Sequence, residues 1–199
     1  MSVQSLERAT PRTRDPEAKR RNLLASARAL FVEKGFEGST TKLIAAHAGV
    51  SEGVVFHQFG SKQGLFSALV EEFSEASARE FLLAEQGSLS PESVVRNVIA
   101  FAERDIDLFQ MILDNQAMLK ANGIPTLRDY LVPRIEEALR ESIDAGICYP
   151  GDPEIMARFQ FSIVVTALLG RMGSEDDEYK EALVTEAIRC MEAVSARVA

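Results

Sequence analysis

The chain has 199 residues, 46% of them apolar, with 22 Lys and Arg against 30 Asp and Glu, a formal net charge of −8. That length buries a substantial core as one domain or as a small domain joined to a larger one, and the absence of Trp, few β-branched runs and abundant Ala, Leu and Glu predict an all-α fold. No apolar stretch is expected to reach the ~18 residues of a membrane span, the N-terminus lacks an apolar signal core, and Cys148 and Cys190 read as reduced thiols of a cytoplasmic protein, not as a disulfide or metal site.

Residues 1–14 hold Arg8, Pro11, Arg12 and Arg14 without periodicity and read as a disordered basic arm, solvated or reaching a minor groove. Asp15-Pro16-Glu17 is a helix start: an acidic cap, Pro at the first position and Glu in the electropositive first turn. Leu23, Leu24, Ala27, Leu30 and Phe31 follow as an amphipathic stripe that Gly35 ends.

Residues 40–62 predict two short helices joined by a tight turn. Thr40 caps the first, Ile44 and Ala48 share its inner face, Gly49 stops it, and Ser51 caps the second. In the second helix Val55 and Phe59 face inward, while Gly53 and His57 point away from Val55 with Val54 and Phe56 beside them. A buried face opposed by a small, uncharged strip suits a helix lying in a DNA major groove, so residues 15–61 read as a helix-turn-helix domain. Charge agrees with this. Residues 1–66 hold 10 Lys/Arg and 6 Asp/Glu, against 12 and 24 in residues 67–199, so a +4 head precedes a −12 body.

Residues 62–199 predict a helical effector-binding and dimerisation domain, for about nine helices in all. Ser61-Lys62 opens a long helix carrying Leu65, Phe66, Leu69, Val70 and Phe73 to about Leu83, a possible mechanical link between head and body. Ser90-Pro91 starts the next, Asp105 to Leu119 another, and Leu127 to Ala145 a further one kinked or restarted at Pro133. Asp152-Pro153 opens a helix apolar almost all round, with one face for the core and one for another surface. The last helix carries the stripe Leu183, Ala187, Met191 and Val194, and together with Phe161, Val165 and Leu169 this predicts a homodimer interface.

Phe101, Phe109, Met111, Met118, Phe159, Phe161 and Met172 are candidates for an apolar effector pocket, or ordinary core, with Arg104 among the candidate polar groups alongside Asp105, Asp114 and Arg158. His47 and His57 have no carboxylate or Cys partners at ligand spacing, and Glu175 to Glu178 lack the spaced ligands of a Ca²⁺ loop, so no metal and no cofactor is expected.

The chain resembles the TetR family of bacterial transcriptional regulators. The resemblance lies mainly in residues 15–70: Phe31-Val32-Glu33-Lys34-Gly35-Phe36, Thr40 and Thr41, Ile44 through Ser51, Gly53, Val55-Phe56-His57-Gln58-Phe59, and Ser61-Lys62 before Leu65. It implies a homodimer whose recognition helices enter successive major grooves of a palindromic operator, and a small hydrophobic effector that releases the DNA. By position, Thr40 and Lys42, with Thr41 beside them, would meet phosphate. Ser51, Gly53, Val54 and His57 would lie at base edges and backbone, and Lys62 would meet phosphate at the start of its helix.

The chain departs from the family pattern at three places. Phe56 stands where a Tyr is usual, which removes a hydroxyl. Leu43 replaces an acidic capping-box residue. Glu52 replaces a common Lys and reads as a solvated helix-start carboxylate or as an acceptor from cytosine. A second function class stays open: a helical homodimer acting mainly through protein–protein contacts, with a diverged head. An enzyme finds no nucleophile–base or metal constellation to rest on.

Overall fold

The computed structural model describes residues 15–85, 90–147 and 150–195; the expected arm at 1–14 and Cys148 lie outside them. Among the described residues the regular structure is helical, as composition predicts. The helices are α1 (Pro16–Gly38), α2 (Thr41–His47), α3 (Glu52–Phe59), α4 (Lys62–Glu85), α5 (Pro91–Arg104), α6 (Ile106–Asp114), α7 (Gln116–Ala121), α8 (Leu127–Asp144), α9 (Pro153–Met172) and α10 (Asp177–Ser195). Two compact units divide the chain between Leu65 and Phe66.

In the first unit Asp15 caps α1 as expected, its carboxylate accepting from the Glu17 N–H at 3.0 Å. Leu23, Ala27, Phe31, Ile44, Val55 and Leu65 are fully enclosed and form the core of this unit. Each large member contributes about 1.5–3 kcal/mol through burial. Gly35 does not end α1 outright. It takes φ 74°, ψ 166° and kinks the helix, which continues to Gly38. The kink turns Phe36 back to 5.4 Å, centroid to centroid, from Phe31. It also leaves the Leu30 and Gly35 carbonyls within 3.0 and 2.9 Å of the buried Ser39 hydroxyl, which answers them.

The second unit is arranged on α9, which packs against α8, α10 and α5. Val132, Ile135, Leu139, Met156 and Ala157 form a buried cluster where α8 meets α9. Arg96 on α5 reaches Glu181 on α10 at 2.7 Å, and Arg171 on α9 reaches Glu103 on α5 at 2.6 Å. The first turn of α8 is locked by Asp129, whose carboxylate accepts from both the N–H and the hydroxyl of Thr126 at 2.8 Å. Those two bonds hold the Asp129 carboxyl below its usual range. Pro133 lies inside α8 without dividing it.

Two expectations about this unit are corrected. The single helix foreseen from Asp105 to Leu119 is two, α6 and α7, because the Asn115 side chain donates to the Met111 carbonyl at 2.8 Å and takes a backbone bond's place. A span-length apolar helix also exists: Pro153–Met172 is 20 residues with mean hydropathy 1.3 in its most apolar stretch. The polar side chains within it had hidden that length, and its contacts with three neighbouring helices give its apolar surface a use inside the unit.

Candidate nucleic-acid interface

The helix-turn-helix geometry foreseen for residues 40–62 is present. Thr40 caps α2 by accepting from the Leu43 N–H at 3.1 Å. Gly49 takes φ 67°, which lets the chain reverse, and Ala48 and Val50 close the turn through backbone bonds to Ile44 and Ala45. Asn22 on α1 fastens that turn, its amide donating to the Ala48 carbonyl at 2.8 Å. On α3 Val55 is fully buried while Gly53, His57 and Phe56 are exposed, Phe56 to 50%. Val54 is half-buried, and Thr40 and Lys42 at the start of α2 are open or nearly so.

Three candidate side chains are engaged within the head. Ser51 occupies the cap position of α3, yet its hydroxyl makes no capping bond. Thr41 is half-buried, and its hydroxyl donates to the Glu52 carboxylate at 2.5 Å. Glu52 is therefore not the freely solvated helix-start residue expected, because an uncharged donor on α2 partly satisfies it before any DNA arrives. Lys62 differs most. Its ammonium donates to the Phe36 carbonyl at 2.9 Å, sits 3.7 Å from the Glu37 carboxylate and lies 4.2 Å from the Phe36 ring centroid, with its side chain 19% exposed. It clasps the kinked end of α1 to the start of α4.

Residues missed by sequence reasoning support this surface from beneath. Arg20 lays its guanidinium 4.8 Å from the centroid of the half-buried Phe59. Gly64 is needed where α4 starts against α3, since a side chain there would meet the Phe59 carbonyl. The Asn22 and Arg20 contacts join positions far apart in sequence, which local spacing does not reveal.

In the second unit an apolar cavity, partly open to solvent, is lined by Phe73, Phe109, Arg134, Gln160, Phe161 and Leu168 among others. Of the residues foreseen for a pocket, Phe109 and Phe161 line it and Phe101, Arg104, Met111, Met118, Phe159 and Met172 do not. Phe159 points outward at 58% exposure, Met111 is core, and Arg104 is exposed with its guanidinium 5.2 Å from the Phe101 ring.

Of the residues foreseen for a dimer interface, Phe161, Val165 and Met191 line this void instead. Ala187 is buried in the protomer, Leu183 packs beside Gly170, and Val194 packs against the cluster between α8 and α9. Leu169 is the most exposed of them, while Phe161 and Val165 are half-buried. With Ile155 and Phe159, Leu169 forms an apolar strip along the exposed side of α9. On α10, Ala187 and Met191 face the core of their own chain, while Leu183 and Val194 stay half-buried.

His47 and His57 are exposed, and no cluster of three metal-ligating side chains occurs among the described residues. The acidic run 175–178 serves as a helix start, with Asp176 accepting from the N–H groups of Glu178 and Tyr179.

Comparison with known proteins bears on the same stretch. Residues 23–69 match the profile described as bacterial regulatory proteins, tetR family. The HTH-type transcriptional repressor AcnR of Corynebacterium diphtheriae is 36% identical over 86 residues, a match spanning 43% of each chain and so less than half of that repressor's length. The HTH-type transcriptional repressor Rv1474c of Mycobacterium tuberculosis is 27% identical over 86% of this chain and 91% of its own. SmeT, the repressor of the Stenotrophomonas maltophilia multidrug efflux pump SmeDEF, has a solved structure that is 25% identical, covers 92% of this chain and 93% of its own, and superposes with a TM-score of 0.67. A SmeT–triclosan complex is also solved.

Proposed function

We propose that this chain is a DNA-binding transcriptional regulator of the TetR family and that it acts as a repressor, binding a palindromic operator as a homodimer and leaving it when a small hydrophobic effector fills the body cavity. One observation carries the DNA half of this reading. Gly53, Phe56 and His57 stand exposed on α3 while Val55, on the opposite side, is fully buried. Such a helix can enter a major groove without withdrawing anything from the core. The +4 charge of residues 1–66 confines phosphate attraction to this end of an acidic chain.

The homodimer rests on α9. Ile155, Phe159 and Leu169, between 46 and 58% exposed, leave an apolar strip that a second copy would cover by the same strip. The effector rests on the cavity, whose wall is apolar almost throughout and opens partly to solvent. SmeT, solved with triclosan, gives a precedent for an apolar occupant.

DNase I footprinting across genomic fragments around the protein's own gene tests the whole reading. Protection of an inverted repeat with half-sites one turn apart, roughly 34 Å, is the expected result. No protected site at moderate salt would end the repressor reading and favour a helical dimer that acts on other proteins.

A further inference from the structure

Resting on the reading that the body cavity holds the effector, we infer that this effector is an apolar monoanion, a carboxylate on a hydrocarbon body, whose charge is met by Arg134. The lining is hydrocarbon nearly throughout, Phe73, Val94, Phe109, Leu131, Phe161 and Leu168 being typical. Arg134 is the single charged side chain on it, and Ser77 and Gln160 supply the other polar groups. Holding a guanidinium against such a surface is costly unless an anion joins it.

The protein itself supplies no such anion among the described residues. Arg134 is half-buried, and its Nη1 donates to the Tyr130 carbonyl at 2.9 Å, one turn back on α8. That bond uses one of the five N–H donors of the planar fork. Three other arginines on α8 and α9 are paired with carboxylates: Arg140 with Glu136, Arg158 with Glu154 and Arg171 with Glu103. Two acidic groups from α4 face this part of α8, Glu71 and Glu75, both exposed. They act on the Tyr130 phenol, raised first by burial and then by these carboxylates, with Arg134 opposing them.

A guanidinium fork matches a carboxylate through two parallel hydrogen bonds, and the hydrocarbon remainder of the ligand matches the rest of the wall. A neutral ligand would shut water away from Arg134 and return nothing for it. A cation would be repelled.

Calorimetric titration of the full chain with decanoate and with decan-1-ol tests this, since the two probes share a hydrocarbon chain and differ in charge. Decanoate is expected to bind about tenfold or more tightly than decan-1-ol, the scale of a charge-assisted pair. Arg134→Gln should bring the two affinities together by weakening decanoate, and Arg134→Lys should retain part of the preference. Should Arg134→Gln fold poorly, the Lys variant and the wild-type comparison carry the test. Equal affinities in the wild-type protein would overturn the anionic class and leave the cavity reading intact. Binding of neither probe would overturn both. A decanoate preference that survives in Arg134→Gln would overturn the role given to Arg134.

Discussion

The Thr41 hydroxyl and the Glu52 carboxylate meet at 2.5 Å, tying the first turn of α2 to the first turn of α3. The two helices of a DNA-reading unit are thus fixed by a side-chain bond as well as by their shared core. The same bond holds a negative charge near the surface where phosphate would lie. Thr41→Val removes the donor with little change of shape and should lower stability by about 1.5–3 kcal/mol, the net value of a hydrogen bond to a charged group. Differential scanning calorimetry reads the loss. An unchanged melting temperature would mean that the contact does not stabilise the head.

Reversing the charge makes a second test at the same place. Glu52→Lys should strengthen binding to any duplex and steepen the dependence of log affinity on log salt by ~0.9 for a new phosphate contact. Fluorescence anisotropy at several salt concentrations measures both quantities. A slope equal to that of the wild-type protein would place Glu52 away from the DNA backbone.

Lys62 separates two roles. A lysine that only meets phosphate can be removed without harm to the fold, whereas this one bonds the Phe36 carbonyl and neighbours Glu37. Lys62→Met is expected to lower the stability of the head by about 1–3 kcal/mol, the range for a hydrogen bond to a charged group and for leaving its partner unmatched. The salt slope of DNA binding should stay close to wild type. A slope reduced by ~0.9 with unchanged melting would instead return Lys62 to the phosphate.

Self-association distinguishes the two sides of the C-terminal helices. Phe159→Arg, on the exposed side of α9, should convert dimer to monomer in analytical ultracentrifugation with little loss of protomer stability. Met191→Ala, 3% exposed on α10, should instead cost about 2–5 kcal/mol of folding stability as a cavity is left behind. The reverse pattern would restore the α10 stripe as the contact between copies.

Acid sensitivity follows from Asp129. Its carboxyl is held below the usual range by the Thr126 N–H and hydroxyl, so the folded state keeps the charge to lower pH than the unfolded chain does. Its contribution is therefore present above the unfolded value of about 3.9 and fades as pH falls through the lower folded one. Asp129→Asn should flatten the acid limb of the melting temperature between about pH 2 and 5 and leave neutral stability only slightly lower. An acid limb parallel to wild type would refute this.

The head was legible because its signals are local. Asp15, Thr40 and Gly49 act on the backbone within a few residues, and the opposition of Val55 to Gly53 and His57 needs only the helical period. What escaped was set by contacts across the chain. Lys62 looked like a free cation because nothing near it in sequence shows that the kink at Gly35 delivers the Phe36 carbonyl to it. In the body, α9 is apolar on several sides, so spacing could not say which side meets the cavity and which meets solvent. Phe159 and Phe161, two residues apart and both read as pocket candidates, part company: Phe161 lines the cavity and Phe159 is exposed. Asn115 resembles an ordinary polar position in a helix until its amide is seen on the Met111 carbonyl.

The double-sided character of α9 has a thermodynamic consequence. Phe161, Val164 and Leu168 wall the cavity, while Ile155, Phe159 and Leu169 of the same rigid helix form the strip offered to a second copy. Any turn or shift of α9 that admits a ligand displaces both sets together. Linkage then makes the effect reciprocal: a ligand that loosens pairing by some factor must itself bind the lone protomer more tightly by that factor. Apparent ligand affinity would thus depend on protein concentration, and dilution alone would act as an effector.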